Sequence, residues 1–145
     1  MASTTTPNIG LEKMGTGDQV GAWGTTANAN LDIIDTQIAA LKSLRATLPG
    51  TLVTLTGNIR WYPTANITLK NVVVNMGTAP GAGGAVFNVR KNGTAIFTSP
   101  KPTVASGANT STPLTISVAL ATTDYLTIDV ETASGGDAVV RIDYT

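Results

Sequence analysis

Residues 28–48 read NANLDIIDTQIAALKSLRATL, the only long helical pattern in a chain of 145 residues. The apolar residues fall at the spacing of a heptad a/d seam, in which Arg45 takes a place where another apolar residue is expected. Asn28 can cap the start of a helix, and Pro49-Gly50 is a typical stop signal. The stretch therefore predicts a helix about 30 Å long. The residues of this predicted seam are Leu31, Ile34, Ile38, Leu41 and Leu48.

The seam predicts that several copies of the chain associate. Ile33 and Leu44 widen the apolar stripe, and Ala39 and Ala40 allow helices to approach closely. A wide stripe fits three helices better than two, so we expect a coiled-coil-like helix in a homotrimer. Fewer than three heptads do not hold a coiled coil unaided, so the rest of the chain has to contribute. The alternative is a single amphipathic helix that lies on the protein's own sheet.

The residues before the helix, 1–27, read as an extended arm. Residues 4–7 disfavour a helix, and five glycines between residues 10 and 24 interrupt any periodicity. Apolar side chains recur along the arm at intervals typical of anchors on another surface. These candidate anchors are Ile9, Leu11, Met14, Val20 and Trp23. The arm therefore predicts docking onto a partner, and the alternative is that it wraps its own body.

Residues 51–145 read as β-structure throughout. Apolar and polar residues alternate in 114–118, 126–130 and 140–144, which is the pattern of half-buried strands. Asn92-Gly93 is a hairpin signal, and turns rich in glycine and proline separate the remaining short strands. This organisation predicts an antiparallel β-sandwich or jelly roll. About 95 residues are enough to bury a core of their own.

Composition argues against several classes of function. Nine basic and nine acidic residues give a balanced charge, which argues against nucleic acid and against an anionic membrane surface as partners. The chain lacks cysteine and histidine, so the commonest metal ligands and the commonest general base are missing. No apolar run reaches the length of a membrane span, and the first residues do not resemble a secretory signal. We therefore expect no cofactor, no metal and no membrane insertion.

Polar groups that could form a catalytic site are sparse. Asp129 and Glu131 stand two residues apart beside Thr127, which predicts a solvated outer strand face rather than a catalytic carboxylate pair. The loop at Gly136-Asp137 lacks the spacing of a calcium-binding loop. Residues 81–84 are rich in glycine but lack the lysine and the helix of a phosphate-binding loop. The sequence therefore predicts no catalytic residues.

Arg60-Trp61-Tyr62-Pro63 is the one aromatic cluster. Flat rings can cover the apolar face of a sugar, so Trp61 and Tyr62 are candidates for contact with a glycan on a host surface. The structural alternative, which we favour, is that both rings pack at the junction between helix and body.

Residues 15–35 resemble a leader found in fibre and appendage proteins of tailed bacteriophages. The pattern is a short apolar arm, then G-x-W-G-x-x-x-N-x-N-L-x-x-I-D, here at residues 21–35, then a short helix. The β-region is similar to phage appendage tip domains at residues 77–80, 87–94 and 124–130. The resemblance therefore covers most of the chain.

This resemblance implies a homotrimer whose N-terminus docks on the virion and whose β-domain points outward. It implies a non-enzymatic structural protein, assembled in the cytoplasm of the host bacterium, with tail, baseplate or capsid proteins as partners. Residues 1–27 would anchor the fibre, residues 28–48 would gather the chains, and residues 51–145 would form the tip, which can contact the host surface. Two alternatives stay open: a head fibre or capsid decoration protein, and a glycan-binding or glycan-active module.

Overall fold

A computed structural model of the chain describes residues 4–5, 12–13, 23–40 and 42–145. The chain divides into two compact units, Met1–Lys42 and Ser43–Thr145, which we call the N-terminal unit and the body. The body is mainly β, as the sequence predicts, and it begins at Ser43 rather than at residue 51.

The described residues of the N-terminal unit form a pair of short strands and one helix. These elements are β1 (Thr4–Thr5), β2 (Glu12–Lys13) and α1 (Trp23–Ala40). The two strands pair antiparallel. The helix begins at Trp23, so the predicted arm of residues 1–27 is too long by its last turn. A glycine within a helix costs only about 1 kcal/mol, so Gly24 does not delay the helix to Asn28.

Four of the five candidate anchors are not among the residues that the structure describes. Ile9, Leu11, Met14 and Val20 lie outside the described residues. Trp23 is described as the first residue of α1, but only through its backbone.

The predicted helix over 28–48 is wrong from residue 43 onward, because Ser43–Thr51 form the strand β3. Apolar residues at 44, 46 and 48 alternate with polar residues at 45 and 47, a pattern that suits a strand as well as a heptad. Ala46 and Leu48 are buried, whereas Arg45 is exposed. Leu48 therefore belongs to the core of the body and not to a helical seam.

Eight further strands follow β3 in the body. They are β4 (Leu55–Trp61), β5 (Ile67–Thr78), β6 (Ala85–Lys91), β7 (Thr94–Ala95), β8 (Thr103–Val104), β9 (Leu114–Leu120), β10 (Leu126–Thr132) and β11 (Gly136–Tyr144). All of their pairings are antiparallel. The first sheet has the order β3-β11-β5-β9. The second sheet has the order β4-β10-β6-β7, and β8 also pairs with β6.

The two sheets enclose one hydrophobic core, which makes the body a β-sandwich. Along β11, Ala138, Val140 and Ile142 are fully buried, while the side chains between them are not. Phe87 and Val89 of β6, in the other sheet, belong to the same hydrophobic cluster. The chain crosses between the sheets after β3, β4, β5, β8, β9 and β10. Repeated crossing of this kind is typical of a jelly roll rather than of a meander.

Each sheet has an irregular edge strand, β3 in the first sheet and β4 in the second. Pro49-Gly50 closes β3, and a proline is tolerated there because β3 lies at the edge of its sheet. β4 is an edge strand of the second sheet, and its register against β10 shifts twice. Gly57 and Ile59 adopt φ angles of +68° and +53° within these shifts. Such bulges bend an edge strand and discourage it from pairing with another chain.

One end of the body is rich in aromatic side chains, and we call it the aromatic end. Leu126 at the start of β10 pairs with both Trp61 at the end of β4 and Lys91 at the end of β6. The ring centroid of Tyr144, at the end of β11 in the other sheet, lies 6.1 Å from that of Trp61. The ends of both sheets therefore meet here. Val53, in the connection before β4, lies at the opposite end.

Candidate functional site

The predicted aromatic cluster is divided between the two faces of the second sheet. Trp61 is partly buried against the core and pairs with the ring of Tyr144. Tyr62, the next residue, is 52% exposed. Trp61 packs on Tyr144 and Tyr62 packs on Tyr125, so these two rings do not form one flat surface for a sugar.

Tyr125 joins Tyr62 on the outward face instead. Their ring centroids are 5.8 Å apart, with an angle of 51° between the ring planes. The guanidinium carbon of Arg60 lies 4.4 Å from the centroid of Tyr125, which is a cation–π distance. Arg60, Tyr62 and Tyr125 form one stack, which we call the tyrosine stack, and Arg60 and Tyr62 are its exposed members.

Hydrogen bonds hold the backbone of Tyr125 in place. Its amide N donates to Oδ1 of Asn92 at 2.9 Å, and the amide N of Asn92 donates to the carbonyl oxygen of Tyr125 at 3.0 Å. Asp124 accepts hydrogen bonds from the amide of Ala121, from the side chain of Asn92 and from Lys91. In that order of importance, these bonds lower the pKa of Asp124 to about 2. We call this set of contacts the Asp124 clasp.

The clasp also borders a cavity of about 420 Å³ at the aromatic end. Lys91 and Asp124 line it together with the polar residues Asn66 and Thr68. Neither Tyr62 nor Tyr125 is among its lining residues, so the cavity and the tyrosine stack are separate features. A smaller cavity of about 180 Å³ lies between residues 96–100 and 114–116.

The outward face of β10 is covered, so the prediction of a solvated face is wrong. Thr127 and Asp129 are only 2% and 1% exposed. Nε of Arg90 lies 2.5 Å from Oδ2 of Asp129, and the amide N of Gly57 donates to Oδ1 at 2.7 Å. Gly57 reaches the carboxylate because β4 bulges there. The sequence pattern does not reveal such a bulge, since the alternation along β10 itself is regular.

Asn88 is a buried polar residue that the sequence analysis missed. Its Oδ1 accepts hydrogen bonds from the amides of Val89 and Phe97, and its Nδ2 donates to the carbonyl oxygen of Phe97 and to Glu131. Lys101 forms an ion pair with Glu131 at 2.6 Å. Hydrogen bonds from Lys101 and from Asn88 lower the pKa of Glu131. Asparagine is depleted in strands, so its presence within β6 was the available signal.

Three acidic side chains around this side of the second sheet each have a cation of their own. The ion pairs are Lys91–Asp124, Arg90–Asp129 and Lys101–Glu131. Arg60 is a further cation, and it forms no ion pair with any carboxylate of the described residues. The tyrosine stack therefore carries a positive charge that the body does not neutralise locally.

Three of the five predicted seam residues lie on the helix, and their role between chains stays a prediction. Leu31, Ile34 and Ile38 lie on α1, and Leu31 and Ile38 are 61% and 53% exposed. Ile34 is half-buried. Leu41 lies outside the described residues, and Leu48 is in the core of the body.

Searches for a metal site, a membrane span and known relatives gave no positive result. In residues 23–40 and 42–145 and the two short strands before them, no three metal-ligating side chains converge. No helix of the same described residues is long and apolar enough to cross a bilayer. No protein-family model, no curated protein and no solved structure matches the chain.

Proposed function

We propose that the protein is a non-enzymatic structural component of a tailed-bacteriophage virion. It forms a short homotrimeric fibre that docks through the residues before α1 onto a tail or baseplate protein. Its body faces outward and can contact the host surface. The resemblance of residues 15–35 to phage fibre leaders supports the docking role.

The exposure of Leu31 and Ile38 on α1 is the observation that carries this proposal. Residues seven apart in a helix lie on the same face, and Ile34 lies between these two. Leaving such a side chain in water rather than burying it forgoes about 1.5–3 kcal/mol. A helix that exposes two of them on one face is therefore favoured to associate with copies of itself.

The charged groups of the body support a structural role over an enzymatic one. A general acid or base works best when its pKa lies near the working pH. The pKa values of Asp124 and Glu131 are shifted the other way, downward, by the hydrogen bonds that hold these side chains. Asp129 is engaged by Arg90 and by the amide of Gly57. These carboxylates are therefore bound in the framework of the body.

A head fibre or capsid decoration protein is the second candidate. The leader that residues 15–35 resemble occurs in phage appendage proteins as well as in fibres, so it also fits a protein attached to the capsid. The arm, the helix and the body would keep their roles, and only the docking partner would differ.

Electron microscopy of purified particles, labelled with an antibody against the body, tests the proposal. We expect label at the tail or baseplate, and label on the capsid would favour the second candidate. A chain that lacks residues 2–22 keeps α1 and should remain folded and associated, yet it should no longer label particles. Absence of the full-length protein from every particle would contradict a virion role.

A further inference from the structure

We propose that the tyrosine stack binds a saccharide that carries a carboxylate group. Tyr62 would lie against the apolar face of the sugar ring, and Arg60 would pair with the carboxylate. The proposed assembly role gives no specific task to the face of the body that carries the tyrosine stack, and this inference names a ligand class for that face. It does not depend on where the protein sits in a virion.

The exposed ring of Tyr62 provides the apolar surface that a sugar requires. The C–H groups on one face of a pyranose form an apolar patch that an aromatic ring can cover. Tyr62 is 52% exposed, although its neighbour Trp61 turns inward to the core. Tyr125 packs against Tyr62 at a centroid distance of 5.8 Å and a tilt of 51°, so it supports the ring of Tyr62 without widening the flat surface.

The unpaired charge of Arg60 selects an anionic ligand. Its guanidinium faces the ring of Tyr125 at 4.4 Å, which leaves the N–H groups at its rim free to donate. A carboxylate can accept two of these N–H groups at once. The acidic side chains nearby already have cations, so none of them competes for Arg60.

Tyr125, against which both Arg60 and Tyr62 pack, is held in place before any ligand arrives. Both backbone hydrogen-bonding groups of Tyr125 are engaged by Asn92, and Asp124 ties the same turn to Lys91. A site that is already ordered loses less conformational entropy on binding. This matters for a saccharide, since a single sugar ring offers few contacts.

A protein partner fits this face less well than a saccharide. The buried centre of a protein–protein interface is an extended apolar patch. In the body, all of which the structure describes, the large hydrophobic side chains that are mostly exposed are Val53 and Tyr62. They lie at opposite ends of β4, so they form no common patch.

Binding of acidic saccharides to the full-length protein tests the proposal. The probes are oligomers of glucuronate, galacturonate and mannuronate, and sialyllactose, each compared with its neutral counterpart by calorimetry or NMR. We expect at least one acidic probe to bind with a Kd of about 1 mM or tighter. Its neutral counterpart should bind about 10-fold more weakly, a difference of about 1.4 kcal/mol.

Three variants assign the binding to the stack. Tyr62→Ala should weaken binding of the acidic probe about 10-fold. Arg60→Gln should abolish the preference for the acidic probe over the neutral one. Arg45→Gln is the matched control, since Arg45 is an exposed arginine on the first sheet, and it should leave binding unchanged. Thermal unfolding of each variant checks that its body is still folded.

Several outcomes would overturn the proposal. One is the absence of binding to every acidic probe at about 10 mM. Another is an equal loss of affinity in Arg45→Gln and Arg60→Gln, which would show non-specific charge attraction. Full binding by Tyr62→Ala would also overturn the proposal. A preference for acidic peptides over acidic sugars that depends on the stack would overturn it as well. Because the assay uses the isolated protein, none of these results bears on the location of the fibre.

Discussion

The side chain of Asn88, in β6, forms hydrogen bonds with the backbone of the segment between β7 and β8. Its side-chain amide both donates to and accepts from the backbone of Phe97, as a neighbouring strand residue would. Phe97 is buried in the core, yet it belongs to neither of the two short strands. A single side chain therefore secures the stretch where the edge of the second sheet is interrupted.

Replacing Asn88 by alanine should lower the free energy of unfolding by about 2–4 kcal/mol. The change leaves the buried amide and carbonyl of Phe97 without a partner, and each unsatisfied buried group costs about 1–3 kcal/mol. Urea unfolding measures this change. Asn75→Ala is the matched control, because Asn75 is exposed and should cost less than about 1 kcal/mol. A loss in Asn88→Ala no larger than in the control would show that the bridge to Phe97 is dispensable.

The lowered pKa values of Asp124 and Glu131 predict how stability depends on pH. Both carboxyl groups bind protons more weakly in the folded than in the unfolded chain. They therefore stabilise the fold when the pH lies above their unfolded pKa values of 3.8 for Asp124 and 4.5 for Glu131. This contribution is lost as the pH falls through the pKa values of the folded state, and the folded pKa of Asp124 is about 2. Stability should therefore decline from about pH 4.5 to about pH 2.

The double variant Asp124→Asn and Glu131→Gln checks the source of that decline. Its free energy of unfolding should be lower than that of the native chain near pH 7 and should fall less steeply between pH 4.5 and pH 2. Urea unfolding at a series of pH values gives both slopes. Identical slopes would mean that other carboxylates cause the acid sensitivity.

Among the elements, β3 shows where sequence patterns are ambiguous. Leucines at 41, 44 and 48 continue the helical spacing of 31, 34 and 38, yet 44, 46 and 48 also alternate like a strand. The choice depends on β11, which pairs with Ser43–Leu48 from the far end of the chain. A local pattern cannot report a partner almost 100 residues away, so the helix was predicted too long.

The site was recognisable from the sequence only in part for the same reason. The cluster at Arg60–Tyr62 drew attention to the right strand, and alternation alone would have separated Trp61 from Tyr62. Tyr125 could not be foreseen as their neighbour, because its place depends on the register of β10 against β4. That register shifts at Gly57 and Ile59, and bulges of this kind have no reliable sequence signal.

The apolar face of α1 predicts that Ile38→Asp disrupts association of the chains. A carboxylate buried in an interface without a partner costs several kcal/mol, so association should weaken at least about 100-fold. Light scattering coupled to size exclusion measures the change in mass. Thr36→Glu is the control, because Thr36 is exposed and points about 200° away from Ile38 around the helix. Unchanged mass in Ile38→Asp would show that this face has another use.

At the scale of the whole molecule, the two-sheet body could be predicted because its information is local. The alternating segments at 114–118, 126–130 and 140–144 lie within β9, β10 and β11. The order of strands in each sheet could not be predicted, since it brings together residues that are distant in sequence. The division of the chain at Lys42 likewise depends on β3 joining the body.

The mass of the full-length chain in solution tests the homotrimer most directly. Light scattering coupled to size exclusion should give about 44 kDa, three times the 14.8 kDa of one chain. The exposed Leu31 and Ile38 would then be covered by neighbouring copies. A mass of 14.8 kDa, or of about twice that value, would contradict a trimeric fibre.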